Sequence, residues 1–312
     1  MNDTKIGLGL AAIGRPEYIN IRENTPIDKS FATFKKNALE MLDYAYKIGV
    51  RYFDTAASYG KGEEFLIEWN DKRNYKDVIL GSKWGYTYVA NWQLGYAGKH
   101  EIKEHSIDKL KEQWSRAKLL LPNLKIYQIH SATFDTGVLE NMEVLNELHR
   151  LKKEFKITIG LSTSGANQKD IIEKSLDIKL GDDSLFDSFQ VTYNILEQSA
   201  FPILEKLRAS NKTIIIKEAL ANGRVFLKDA QSELLNLLAE KYKVGVDAIA
   251  LRFVIDTLNP TYVLSGASST DQLKENYKAL DFKLTVNEIE DLKKLKKSPS
   301  NYWDERNKLT WH

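Results

Sequence analysis

Apolar residues along this chain fall into two alternating patterns, and the alternation predicts a fold. Short β-branched or apolar runs recur as IGLGL near residue 6, VRYFDTA near 50, DVILGSK near 77, LKIYQIH near 124, ITIGLS near 157, DSFQVTY near 187, TIIIKEA near 213 and TYVLSGA near 261. Runs of this length bounded by turn residues read as strands. Between them lie segments such as FKKNALEMLDYAYKIG, KEHSIDKLKEQWSRAKLLL, GVLENMEVLNELHRLKKE and FPILEKLRAS, with apolar residues three and four apart. That is the period of a helix with one face on a core. SELLNLLAEKYKV and DAIALRFVIDTL precede the last strand, and STDQLKENYKAL and VNEIEDLKKLKK follow it. Regular alternation implies right-handed βαβ crossovers, and eight repeats favour closure over an open sheet. The expected fold is a (β/α)8 TIM barrel with an extra helix before the eighth strand and a helical C-terminal tail, with residues 1–312 forming one domain.

An open sheet that binds a dinucleotide would carry G-x-G-x-x-G at its first strand–helix turn. GLGLAAIG has its glycines at other spacings and leads into a proline-containing loop, GRPEYINIRENTPIDKS. Composition narrows the chemistry. Of 312 residues, 43% are hydrophobic, enough for a large core. Lys plus Arg number 45 against 43 Asp plus Glu, and neither sign gathers into a block, so nucleic acid is not an implied partner. With no cysteine, disulfides, thiolate metal centres and thiol nucleophiles are excluded. No apolar run reaches the roughly 20 residues a membrane-spanning helix needs. The expectation is a cytoplasmic protein without a membrane partner. Histidines 100, 105, 149 and 312 have no convincing ligand spacing with Asp or Glu, so no metal site is expected.

In such a barrel, reactive groups stand where strand C-termini meet loops. Four do so here: Asp54 ending the second strand, Tyr59 in the loop beyond it, Lys83 ending the third and His130 ending the fourth. Singly each has an ordinary structural reading, as a turn residue, a packing ring, a solvated strand end or a core histidine. Together they converge on one cavity. An ammonium beside a phenol favours the phenolate, so Lys83 would tune Tyr59 while Asp54 holds Lys83 in place. His130 would orient a substrate oxygen. Such a group protonates a carbonyl oxygen while a carrier delivers hydride to carbon, and a nicotinamide suits that role.

FDTAASYG, ILGSKWG, IYQIHSA, IGLSTSG, FQVTYN and SGASSTDQLKEN, in this order on successive strand ends, resemble the aldo-keto reductase superfamily. The resemblance covers essentially the whole chain. It implies that Asp54, Tyr59, Lys83 and His130 form a catalytic tetrad with Tyr59 as general acid/base, and that a nicotinamide cofactor is bound. NADP(H) is the first expectation; NAD(H) stays open as the second, because Ser268 and Ser269 stand where NADPH-preferring members usually carry Arg or Lys. The carboxamide site falls on Ser162, Thr163 and Gln190, with Thr163 in place of the usual Asn. Lys217 occupies the approximate position of a stacking aromatic, and Leu220 and Gly223 match the pyrophosphate loop. Gly266, Ala267, Ser268, Gln272, Glu275 and Asn276 match the adenosine site. Lys274 is read as solvated surface.

Trp84, Tyr86, Tyr88, Trp92 and Tyr96 crowd the loop after Lys83, and Tyr302, Trp303 and Trp311 the tail. They suggest a wall for an apolar or ring-containing substrate, with loop packing as the alternative. The leading function is therefore an NAD(P)(H)-dependent oxidoreductase acting on a small carbonyl or alcohol substrate: an aldehyde, a ketone or a sugar. A cofactor-binding regulatory barrel with little turnover, and a Schiff-base lyase using Lys83 or Lys217, are the alternatives.

Overall fold

The computed structural model describes residues 4–18, 28–228 and 232–311. Part of the proline-containing loop and His312 lie outside them. Eight strands, β1 (Lys5–Gly9), β2 (Tyr52–Asp54), β3 (Ile79–Trp84), β4 (Leu124–Ile129), β5 (Thr158–Ser162), β6 (Ser188–Thr192), β7 (Thr213–Lys217) and β8 (Tyr262–Ser265), pair in parallel in chain order. Lys5 to Leu8 of β1 then align with Tyr262 to Ser265 of β8 and close the barrel. The expected (β/α)8 architecture is the observed one.

One helix links each successive pair of strands as far as β7: α1 (Phe31–Lys47), α2 (Gly62–Arg73), α3 (Ile107–Ala117), α4 (Met142–Phe155), α5 (Gln168–Leu176) and α6 (Phe201–Ala209). Between β7 and β8 lie two, α7 (Ser232–Tyr242) and α8 (Val246–Leu258). After β8 come α9 (Thr270–Tyr277), α10 (Val286–Lys293) and α11 (Pro299–Asn307). The starts are set locally. Ser30, Ser106, Asn141, Ser269 and Ser298 accept from backbone N–H groups in the first turns of α1, α3, α4, α9 and α11, while Thr285 and Glu288 form a reciprocal capping box on α10. Among the described residues no helix is long and apolar enough to cross a membrane.

The main core fills the space between strands and helices, and a smaller one fills the barrel. Tyr52, Ile126, Ile215, Tyr262 and Leu264 form the inner core, where Tyr52 and Tyr262 stack with centroids 4.2 Å apart. Glycine makes the room: a Cβ on Gly7 would lie 2.7 Å from the Tyr52 ring, and one on Gly81 2.5 Å from its hydroxyl. Two elements were not expected from the sequence. Tyr86–Tyr88 pairs antiparallel with Glu101–Lys103 in the segment read as loop, and Lys179–Leu180 pairs with Asp183–Ser184.

Candidate active site

Strand register brings the candidate groups together. Asp54 ends β2 opposite Gly9 on one side and Gly81 on the other, and Lys83 lies two residues further along β3. The Lys83 ammonium donates to Asp54 Oδ2 at 2.5 Å and to the Thr55 carbonyl at 2.8 Å. Asp54 Oδ1 accepts from Gln190 Nε2 at 2.8 Å and from the Tyr52 hydroxyl at 3.1 Å. A buried charge pair persists only when its remaining lone pairs are satisfied, and these neutral donors satisfy them.

Tyr59 lies in the loop between β2 and α2, and backbone contacts with the loop after β1 fix its place. Tyr59 N–H donates to Ala56 O at 3.0 Å, Gly62 N–H to Tyr59 O at 2.8 Å and Lys61 N–H to Gly14 O at 2.6 Å. A Cβ on Gly14 would lie 2.3 Å from Tyr59 O, so the two loops touch backbone to backbone. Gly60 takes φ +60°, the left-handed conformation glycine permits. The Tyr59 ring faces the Lys83 ammonium, 4.7 Å from its centroid, and meets the His130 ring edge-on at 5.5 Å. His130 Nδ1 lies 3.4 Å from Ser58 Oγ. Among the described residues, the Tyr59 hydroxyl and His130 Nε2 have no hydrogen-bond partner, and both residues line the cavity.

Burial and the Asp54 charge push the Tyr59 phenol well above its ordinary pKa, and Arg15 is the leading group opposing them. The Lys83 ammonium, 4.7 Å from the ring centroid, is paired with Asp54, so the phenol meets both charges of that pair. Burial lowers Lys83 itself against the pull of Asp54. Burial and the cations of Lys83, Lys217 and Arg15 hold His130 well below its usual range, so its imidazole is neutral at pH 7. A protonated phenol and a neutral imidazole can each direct a hydrogen bond to an oxygen in the cavity.

That cavity is about 1130 Å³ and runs from these groups to the start of α9. Of the sequence candidates, Asp54, Tyr59, His130, Gln190, Lys217, Leu220, Gly223, Gly266, Ala267, Ser268, Gln272, Glu275 and Asn276 line it. Lys83, Ser162 and Thr163 lie behind the wall, each at most 1% exposed. Ser162 Oγ accepts from Ser131 N–H at 2.8 Å. Thr163 Oγ1 is buried without a partner. Lys217 Nζ reaches back across the strand ends to Thr192 Oγ1 at 2.7 Å and Ser164 Oγ at 3.0 Å, with Glu218 at 3.9 Å; burial lowers its pKa to about 8. At the far end Gln272 Oε1 accepts from Ser268 N–H at 2.9 Å, and Asn276 bridges Ser265 Oγ and Asp247. A Cβ on Gly266 would meet nothing within 4 Å, so the wall is open there.

The aromatic wall is smaller than expected. Of the loop aromatics only Tyr86 lines the cavity, and of the tail aromatics only Trp311. Trp84 is fully buried, Trp92 packs on Phe31 and Phe34, Tyr96 stands edge-on to His100, and Tyr302 and Trp303 are buried at the base of the tail. The sequence reading missed Arg15. Its guanidinium lies within 5.2 Å of the Tyr18, Tyr59 and Trp311 ring centroids and donates to Glu101 at 2.8 Å. It also missed Tyr18, Glu101, Lys103 and Arg306, all on the wall. Arg306 pairs with Glu218 at 2.9 Å and ties α11 to the end of β7. Only the place of Arg15, just after β1, carried a signal.

The Aldo/keto reductase family profile matches residues 5–297. The chain therefore belongs to that family, a family of oxidoreductase enzymes built on this barrel. It is 26% identical over 288 residues to the oxidoreductase YqkF of Bacillus subtilis, covering 84% of this chain and 89% of that protein. To the NADH-specific methylglyoxal reductase of Escherichia coli it is 23% identical over 319 residues, covering 90% and 91%. A solved aldo/keto reductase of Klebsiella pneumoniae, in complex with NADP and acetate, superposes with TM-score 0.67 at 20% identity, covering 93% of this chain and 90% of that one.

Proposed function

We propose that this chain, acting as a single domain over residues 1–312, is an NAD(P)(H)-dependent oxidoreductase that interconverts a small carbonyl compound and its alcohol. The observation that carries this reading is the pair of unpartnered polar atoms, Tyr59 hydroxyl and His130 Nε2, in one cavity above the buried Lys83–Asp54 pair. The Escherichia coli relative, by its name, reduces methylglyoxal with NADH, and the Klebsiella pneumoniae structure holds NADP; both accord with it.

When bound, a nicotinamide cofactor supplies or takes up the hydride. Tyr59, general acid/base, gives its phenolic proton to the carbonyl oxygen or takes it back from the alcohol. His130 donates from Nε2 to that oxygen and orients the carbonyl, in the tautomer its Nδ1 contact with Ser58 permits. Asp54 and Lys83 act from beneath: the ammonium stabilises a phenolate as it forms, and the carboxylate keeps that ammonium charged. The walls fit such a cofactor. Gln190 on the wall is suited to a carboxamide, and the open wall at Gly266 leads to Ser268, Gln272, Glu275 and Asn276, suited to an adenosine. Lys217, Leu220 and Gly223 lie between and would meet the diphosphate.

NADP(H) is the first assignment by family resemblance, and one observation favours NAD(H). Among the described residues, the adenosine end of the wall carries Asp247, Asp271 and Glu275 and no Lys or Arg; Lys278 already pairs with Glu275 at 2.6 Å. A ribose diol suits carboxylate acceptors, and a 2′-phosphate lacks a charged donor there. The test is a panel of aldehydes, ketones and sugars followed at 340 nm with both reduced and both oxidised cofactors. Cofactor-dependent turnover of at least one substrate is expected. Tight cofactor binding with no turnover across the panel would instead support a regulatory barrel.

A further inference from the structure

Among the described residues, the lysines and arginines on the cavity wall lie beside carboxylates, with one exception. Arg15 is held by Glu101 at 2.8 Å, Arg306 by Glu218 at 2.9 Å, and Lys217 lies 3.9 Å from Glu218. Lys103 has no carboxylate within ion-pairing distance among the described residues. Its ammonium donates to the Ser131 carbonyl at 3.0 Å and to Thr133 Oγ1 at 3.3 Å, both neutral acceptors. Asp135, which acts on it from a distance, is exposed. Neutral acceptors satisfy hydrogen bonds and leave the charge uncompensated, and burial accordingly lowers the Lys103 pKa.

The position of this cation gives it a partner. Lys103 ends the hairpin strand Glu101–Lys103, and Ser131, whose carbonyl it holds, follows His130 in the chain. Its Nζ lies 5.3 Å from the Tyr86 ring centroid, and Tyr86 lies 4.9 Å from the His130 ring. Tyr86, Lys103, Ser131, Thr133 and His130 all line the same cavity. A molecule whose carbonyl oxygen meets His130 and Tyr59 would run along Tyr86 and bring its far end to the ammonium.

We propose that Lys103 is a substrate-binding residue that pairs with a carboxylate at the far end of the carbonyl substrate, so that the natural substrate is an anionic aldehyde or ketone. The inference rests on the oxidoreductase reading above. Arg15 is unsuited to the same task because Glu101 and three aromatic rings already enclose its guanidinium.

A matched pair isolates the charge: 4-carboxybenzaldehyde and its neutral methyl ester, methyl 4-formylbenzoate, share ring and reacting carbonyl. An ionic hydrogen bond to the carboxylate predicts a kcat/KM ratio of acid to ester of about 10 to 100 in wild type. In Lys103→Met the ratio falls to about one, chiefly through KM, whereas Lys103→Arg retains most of it. Lys103→Gln, which keeps a donor towards Ser131, is the second neutral variant should methionine disturb the hairpin. A ratio near one in wild type, or an unchanged ratio in both neutral variants, overturns the proposal. Turnover of neither aldehyde, together with none across the carbonyl panel, overturns the oxidoreductase reading instead. Calorimetric titration of terephthalate then decides the anion site alone: binding by wild type that is lost in Lys103→Met upholds it, and equal or absent binding overturns it.

Discussion

Replacing Lys83 with methionine strands a carboxylate inside the barrel. The side chains of Lys83 and Asp54 are 0% and 2% exposed, and the ammonium is the only cation that pairs with Asp54 among the described residues. Without it Asp54 keeps two neutral donors, Gln190 Nε2 and the Tyr52 hydroxyl, and the Thr55 carbonyl loses its donor. Removing one partner of a buried ion pair costs about 3–5 kcal/mol, mostly as the penalty of the charge left behind. At the usual unfolding entropy per residue, that is roughly 5–8 °C of Tm for a chain of this length. Urea denaturation followed by circular dichroism, without cofactor, measures it. The double variant Asp54→Asn/Lys83→Met removes the stranded charge as well, so it should be more stable than Lys83→Met, with a coupling of about 2 kcal/mol or more. A Lys83→Met protein within 1 kcal/mol of wild type, roughly the scale of an exposed pair, would refute the reasoning, and so would a double variant destabilised by the full sum of the single effects.

Other consequences follow from the same geometry. Gly14→Ala sets a Cβ against Tyr59 O and the Gly62 backbone, so it should cost roughly 1–3 kcal/mol of stability and lower kcat by shifting Tyr59, with cofactor affinity largely kept; wild-type kcat would contradict the contact. If the Lys217 ammonium meets the cofactor phosphates, its pKa of about 8 predicts affinity that falls between pH 7 and 9 in wild type. Lys217→Ala should then bind more weakly at pH 7, with little pH dependence and a deficit that shrinks in high salt, and dissociation constants unchanged by the substitution would show that the lysine points elsewhere. Burial lowers His105 to about 4 and lowers His130 as well. Both folded-state values lie below the ordinary value of about 6.5, so the unfolded chain takes up more protons and stability is lost as pH falls below about 6.5. His130→Gln should lessen that loss, and an acid limb identical to that of wild type would count against a buried neutral His130.

The barrel was legible in the sequence because its signal is local: each strand is a short apolar run and each helix an apolar stripe. The helical tail was legible in the same way, although the Ser298–Pro299 start of α11, a cap followed by proline at the first turn, went unread. Asp54, Tyr59, Lys83 and His130 could be singled out because strand ends face one cavity. Glu101 and Lys103 could not. Their place depends on a hairpin that folds Glu101–Lys103 back over the barrel mouth, and that pairing joins two short segments separated by a long irregular loop. The aromatic loop misled for a related reason, since ring density says nothing of direction: Trp92 turns to α1 and Trp84 into the core, leaving Tyr86 on the wall.

The central claim is that Tyr59 transfers the proton, and Tyr59→Phe tests it most directly because it removes one hydroxyl that has no protein partner and keeps the ring between Arg15 and Lys83. The measurement is kcat/KM for carbonyl reduction at 340 nm, together with cofactor affinity by fluorescence titration on the same preparation. Loss of about 10²- to 10⁴-fold in kcat/KM with cofactor affinity unchanged is the predicted result; turnover near that of wild type, with cofactor bound, would contradict it.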